Sequence, residues 1–230
     1  MTITIIGTSH IAQESIEEVK QTLLLENPDI LAVELDIHRL YALQQPKRHR
    51  ISLYAIKEVG VKGFLFALLG SWASQKLGKI VGVIPGEEML TAVKCAKQQG
   101  LELALIDQPI DITLKKLSQR LTWNEKWHFV VDIVKALLFR ESEMKKLGID
   151  SFDLRKVPSK TIIKKLIATV KERYPNLYSV LIDDRNRFMA RKLKHLQVQY
   201  PEKHIVAVVG VGHEDDIKRL LRHIDVVARR

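Results

Sequence analysis

Thr2-Ile3-Thr4-Ile5-Ile6-Gly7-Thr8-Ser9-His10 near the start of the chain and Ile205-Val206-Ala207-Val208-Val209-Gly210-Val211-Gly212-His213 near its end repeat one device. Each is an apolar, β-branched run closed by a glycine turn, with a histidine just beyond it. Such a run reads as a buried strand, because strands covered on both faces are almost continuously apolar. Each histidine then lies past the carboxyl end of its strand, the edge at which open α/β sheets bind ligands. Two imidazoles brought together there could share a metal ion or a substrate. Taken singly, each glycine need only turn the chain and each histidine need only cap a helix; the matched pair in matched context is what points to function.

Working outward, Ala12 to Glu26 carries Ile16, Val19 and Leu23 at helical spacing, with acidic residues early, as the helix dipole prefers. Pro28 ends it, and Ile30-Leu31-Ala32-Val33 is a second strand that delivers Glu34 and Asp36 at its carboxyl end. Strand, helix and strand form a unit expected to cross over right-handed. Ile37 to about Val83 reads as helices, Glu87 to Gln99 as a helix closed by Gly100, and Leu101 to Ile106 as a third strand with Asp107 at its end. Lys126 to Gly148, Ser159 to Arg173 and Leu177 to Gln199 read as helices, and Ile205 to Val209 is the fourth strand. Glu214 to His223 is a helix with an acidic first turn, and Ile224 to Ala228 reads as a short final strand. The expected fold is a three-layer α/β domain over residues 1–230, with a mostly parallel central sheet and helices on both faces. A helical insertion is expected at about 40–84 and a helical segment at about 120–200.

Composition narrows the function classes. The net charge of +10 permits contact with nucleic acid or an anionic membrane surface. The charge is diffuse, however, and its densest clusters, Lys47-Arg48-His49-Arg50 and Arg229-Arg230, lack interleaved aromatics; with 6% aromatic residues overall, base-stacking platforms are hard to build and nucleic acid is disfavoured as a partner. Cys95 is the only cysteine, which excludes an internal disulfide and a thiolate zinc cluster and suits a reducing, cytoplasmic compartment. No basic leader with an apolar core precedes the first strand, so no signal peptide is expected. Val59 to Ile84 is the most apolar stretch, but Lys62, Gln75, Lys76 and Lys79 interrupt it before a membrane span of ~18–20 apolar residues accumulates. Phe64 to Leu69 with Trp72 is expected to be buried in the fold or in a homodimer interface, with peripheral membrane contact as the lesser reading.

The polar residues at strand ends are the candidates for chemistry: His10, Glu34, Asp36, Asp107 and His213. Two imidazoles and a carboxylate supply the donors of a catalytic divalent site that keeps one position open, and parallel strands bring distant segments to a common edge. No local motif such as H-E-x-x-H supports the ligand set. Arg39, one turn beyond Glu34, could bind a substrate carboxylate or hold Glu34 in place. Asp183-Asp184-Arg185-Asn186-Arg187 puts two acids and two arginines close together on one helix, a pattern that a solvated face also produces; Glu87 and Glu88 sit in a helical first turn, where the dipole alone would favour them.

In order along the chain stand Gly7-Thr8-Ser9-His10 with Ser15, Ala32-Val33-Glu34-Leu35-Asp36 with Arg39, Pro85-Gly86-Glu87-Glu88-Met89, Asp107 with Thr113-Leu114, Asp184-Arg185 with Met189, and Val209-Gly210-Val211-Gly212-His213. Together these resemble the TraB/PrgY family, related to the Tiki and erythromycin-esterase-like proteins, over nearly the whole chain. The resemblance implies a metal-dependent peptidase or an inhibitor of peptide pheromones. It implies His10, Glu34 and His213 as metal or catalytic residues, with Arg39, Glu88, Asp107 and Arg185 lining the same pocket. Two departures stand out: Asp107-Gln108-Pro109 where many relatives read Asp-Arg-Asp, and Asp184-Arg185-Asn186 where they read Glu-Arg-Asp. Many relatives also carry a C-terminal membrane region, which is not expected within this chain. The expectation is therefore a hydrolase acting on a peptide, with a divalent ion (Mn, Co or Zn) on His10, Glu34 and His213. Glu34 would be ligand or general base, with Asp36 or Glu88 in the other role; Arg39, Asp107, Asp184 and Arg185 would handle substrate, and Arg39 and Arg185 are candidates for oxyanion stabilisation. The alternative is a noncatalytic protein that sequesters a peptide in the same pocket.

Overall fold

The computed structural model of the chain describes residues 3–8, 13–45, 86–125, 127–128, 131–132 and 160–228. Four strands, β1 (Ile3–Thr8), β2 (Ile30–Val33), β3 (Glu102–Leu105) and β4 (Ile205–Gly210), form one sheet in the order β1-β4-β2-β3. All neighbours are parallel, as their apolar runs predict. The first and last stretches of the chain lie side by side: Ile3 pairs with Ile205, and Thr8 with Gly210. The two glycine-ended strands therefore finish at the same sheet edge.

Alternation along each strand divides the core in two. Ile6, Leu31, Val33, Val206 and Val208 face one side, where they pack against α1 (Gln13–Glu26), α2 (Ile37–Gln44) and α3 (Glu87–Gln99) through Val19, Leu23, Leu40, Met89, Val93 and Ala96. Ile5, Ile30, Ala32, Ile205, Ala207 and Val209 face the other side. There they meet Met189, Ala190 and Leu193 of a long helix and Ile217 and Leu221 of the last one. Helices on both faces of a parallel sheet make the three-layer α/β fold.

The remaining elements are α4 (Ile110–Arg120), α5 (Lys160–Arg173), α6 (Pro175–Tyr178), α7 (Asp184–Gln199) and α8 (Val211–Ala228). A π-helical turn, Ser179–Asp183, joins α6 to α7, and the Asp184 amide donates to the Ser179 carbonyl. One expected element is absent: Ile224 to Ala228 continues α8 and is not a strand. Its β-branched residues give way to helical periodicity, since Ile217, Leu221 and Ile224 recur at the spacing of one helix face. Most of the expected insertion at 40–84, including Phe64 to Trp72, and the middle of the segment at 120–200 lie outside the described residues. Among the described residues no helix is long and apolar enough to cross a membrane.

Candidate functional site

Glu34 follows β2, Asp107 follows β3, and His213 lies three residues beyond β4, in the first turn of α8. No loop separates β4 from α8, so the sheet edge and the amino end of the helix coincide. The amide of Gly210 there donates to Glu34 Oε2 at 2.6 Å. A carboxylate at this position satisfies one of the donors that a helix start leaves unpaired, and it lies at the positive end of the helix dipole.

Arg185, at the start of α7, is the centre of the cluster. Its Nε donates to Asp107 Oδ1 at 2.9 Å and its Nη2 to Asp107 Oδ2 at 2.7 Å, a two-point fork. The same Nη2 donates to Glu34 Oε1. Nη1 donates to the Leu181 carbonyl at 3.2 Å and approaches His213 Nε2 at 3.3 Å. A guanidinium has five N–H bonds; four of them go to these oxygens, and the fifth faces His213 Nε2. The side chains of Glu34 and Asp107 are each 2% exposed, and burial on this scale calls for a paired charge. Burial works against the guanidinium's charge, but Glu34 and Asp107 outweigh it and raise the Arg185 pKa above its ordinary value.

His213 Nε2 is 3.4 Å from Glu34 Oε1, and its Nδ1 is 2.6 Å from Asn186 Oδ1. Asn186 Nδ2 in turn donates to Asp216 Oδ2 at 3.2 Å. Arg39 Nη1 donates to Asp107 Oδ2 at 2.8 Å and to the Glu34 carbonyl at 3.5 Å. Its Nε and Nη2 have no acceptor among the described residues, and its side chain is 36% exposed. Arg39 thus keeps one edge of its fork at the surface of the cluster.

Of the residues expected from sequence, Glu34, Arg39, Asp107, Arg185 and His213 converge. His10 lies outside the described residues, although Thr8, two positions before it, is in register with Gly210. Asp36 is the N-cap of α2, its Oδ1 accepting from the amides of His38 and Arg39, while its Oδ2 is buried without a hydrogen-bond partner among the described residues. Glu88 is buried in the first turn of α3. Asp184 points elsewhere: its Oδ2 accepts from Lys116 and Arg120 of α4 at 2.8 and 3.0 Å. The motif glycines serve close approach: a methyl at Gly7 would have to displace the Glu214 carboxylate, and one at Gly212 the Ile167 δ-methyl.

Asp216 is a contributor that sequence reading does not single out, and Asn186 entered that reading only in a charged run and as a departure from the family pattern. The signals available were adjacency to Arg185 for Asn186 and a three-residue, one-turn spacing from His213 for Asp216. As for a divalent ion, two donors meet, Nε2 of His213 and Oε1 of Glu34, and the Asn186 contact at Nδ1 is the outer support that ligating histidines ordinarily have. Among the described residues no group of three or more His, Cys, Asp or Glu side chains could hold a metal, and Arg185 contacts both donors. The described part of the site therefore supplies a pair of ligands and needs a third from elsewhere.

The model of the TraB/PrgY/gumN family matches residues 1–225. An uncharacterized protein of Methanocaldococcus jannaschii is 36% identical over 226 residues, which are 97% of this chain and 54% of that protein. TraB domain-containing proteins of Bos taurus and Homo sapiens are 26% and 23% identical over 239 residues, 94% of this chain and 61% of each of theirs. The chain thus spans only about half to three-fifths of the length of these relatives.

Proposed function

The chain belongs to the TraB/PrgY/gumN family, and from that membership and the cluster around Glu34 we propose that it is a metal-assisted hydrolase acting on a peptide at the carboxyl ends of its strands. The observation that carries the reading is the meeting of His213 Nε2 and Glu34 Oε1, 3.4 Å apart, at the edge where β1 and β4 end together. His213 and Glu34 would hold the ion, with His10 as the third donor. A divalent ion so held supplies Lewis acidity and lowers the pKa of a bound water. The chain's own groups do the rest. Glu34 is oriented by the Gly210 amide and by Arg185. Asp107 anchors both arginines, and the open edge of Arg39 can take a carboxylate of the peptide.

One observation favours a second reading. Arg185 spends all its donors on protein groups and contacts both metal donors, which suits a pocket that binds a peptide without cleaving it. Elemental analysis of the purified protein, with His10→Ala and His213→Ala as controls, tests the first reading. Stoichiometric divalent metal lost in both variants, with peptide hydrolysis abolished by chelation, supports it. Hydrolysis that survives chelation and both substitutions overturns it. Peptide binding without metal and without turnover assigns the site to the second reading.

A further inference from the structure

We infer that Asn186 and Asp216 are positioning residues that hold His213 in a single neutral tautomer, with the proton on Nδ1 and the lone pair of Nε2 turned toward the Arg185 guanidinium. The inference rests on the reading above that His213 is a working group of the site, and it names what sets that group's chemical form.

The argument starts at Asp216. Its Oδ1 accepts from Arg219 at 2.6 Å, and its Oδ2 faces the side-chain amide of Asn186 at 3.2 Å. A carboxylate offers only lone pairs, so the amide end that faces it is the NH2. The orientation of Asn186 is thereby fixed, and its oxygen faces the imidazole. That oxygen is also only an acceptor, so the hydrogen in the 2.6 Å contact with His213 must sit on Nδ1. At the opposite nitrogen the neighbours differ: Glu34 Oε1, 3.4 Å away, can only accept, and the guanidinium of Arg185 lies closer. Arg185 Nη1, 3.3 Å from Nε2, can only donate, so Nε2 meets it with a lone pair. The Asn186 contact thus places the proton on Nδ1, and the Arg185 contact at Nε2 is compatible with it.

The identity of residue 186 follows from the same geometry. An aspartate there could accept the His213 proton, but it would set a second carboxylate against Asp216. An amide accepts from the imidazole and donates to the carboxylate at once. The relay also spans α7 and α8, so a purely structural tie between helices is the competing account. The tautomer separates the two, because a structural tie does not depend on which nitrogen is protonated.

The test is a long-range ¹H–¹⁵N correlation spectrum of the uniformly ¹⁵N-labelled full chain, recorded above the pH range in which imidazoles protonate. The chain has eight histidines, and the His213 signals are those missing from His213→Ala. The wild type should show the Nδ1–H form. Asn186→Ala should lose that signature to the Nε2–H form or to exchange between the two. The double variant Asn186→Asp with Asp216→Asn, which swaps acceptor and donor, should restore it. An Nε2–H wild type, or an Nδ1–H signature unchanged in Asn186→Ala, overturns the inference. If Asn186→Ala fails to fold, the wild type and the double variant decide. A protein that shows the Nδ1–H form yet neither binds a divalent ion nor cleaves peptides overturns the proposed function and leaves this inference standing.

Discussion

Arg185→Ala is the substitution with the most to reveal. It removes a guanidinium whose side chain is 15% exposed and leaves two carboxylates that are each 2% exposed. Taking one partner from a buried ion pair costs about 3–5 kcal/mol, because the remaining charge stays desolvated. Two features of the site lower the figure. Asp107 keeps the Arg39 guanidinium at 2.8 Å and the Gln108 amide at 2.8 Å, and Glu34 keeps the Gly210 amide at the helix start. The expected loss is therefore near the lower end, roughly 3 kcal/mol, which for a chain of this size lowers Tm by about 6–12 °C. Adding Glu34→Gln removes the charge left without its cation, so the double variant should be more stable than Arg185→Ala alone. Arg185→Lys keeps the charge but cannot make the two-point fork on Asp107, and should fall between wild type and alanine. Urea unfolding with a constant m-value is the assay. An Arg185→Ala protein within about 1 kcal/mol of wild type would refute the claim that this guanidinium holds the cluster together.

Three further outcomes are expected. Burial works to raise the Glu125 pKa, but hydrogen bonds from Thr122 and Asn176 outweigh it and hold the carboxyl below its ordinary range. The stability it adds is full above the unfolded value of about 4.3 and is lost as pH falls through the folded one; Glu125→Gln should cost about 1 kcal/mol at neutral pH, and a deficit that persists unchanged in strong acid contradicts this. Gly7→Ala must push the Glu214 side chain aside, and should cost about 1–3 kcal/mol as overpacking does; an unaltered melting curve would mean the space is not needed. Arg39→Ala should weaken binding of a carboxylate-bearing peptide by roughly 10–100-fold, the worth of a hydrogen bond to a charged group of about 1.5–3 kcal/mol, while metal content is unchanged. Loss of metal in that variant would show that Arg39 acts through the ligands, since a guanidinium cannot itself coordinate a cation.

The strands were legible because a parallel sheet covered on both faces demands continuous apolar runs, and Ile30 to Val33 and Ile205 to Val209 have no other good use. Legible too were Glu34 and His213, because polar residues that abut such runs fall at the sheet edge. The limits have physical causes. Ile224 to Ala228 has the composition of a strand, but Ile224 falls on the helical spacing of Ile217 and Leu221, and the segment continues α8. The π turn left no mark that periodicity could show. In an unbroken helix, Ser179, seven residues before buried Asn186, would share its face; the extra residue puts Tyr178 there instead, buried at 6% exposure. Asp184 and Arg185 are neighbours in sequence and part company in space, as successive helical residues do, one toward α4 and the other toward Glu34 and Asp107.

The departures at Gln108 and Asn186 bear on whether the site has lost its chemistry, and the structure gives both amides a task. Gln108 donates to the Thr113 hydroxyl at 2.8 Å and accepts from Lys116 at 3.1 Å. Asn186 accepts from His213 and donates to Asp216. Each amide uses both of its ends, which no single carboxylate or guanidinium can do. Neither takes a place among the groups that meet at Glu34: Gln108 works between β3 and α4, and Asn186 works on the far side of the imidazole. The charges at the centre, Arg39 and Arg185 against Glu34 and Asp107, are therefore complete without an arginine at 108 or an acid at 186. The two amides shape the surroundings of the cluster and leave its balance of charge intact, so the departures by themselves give no reason to regard the site as disabled.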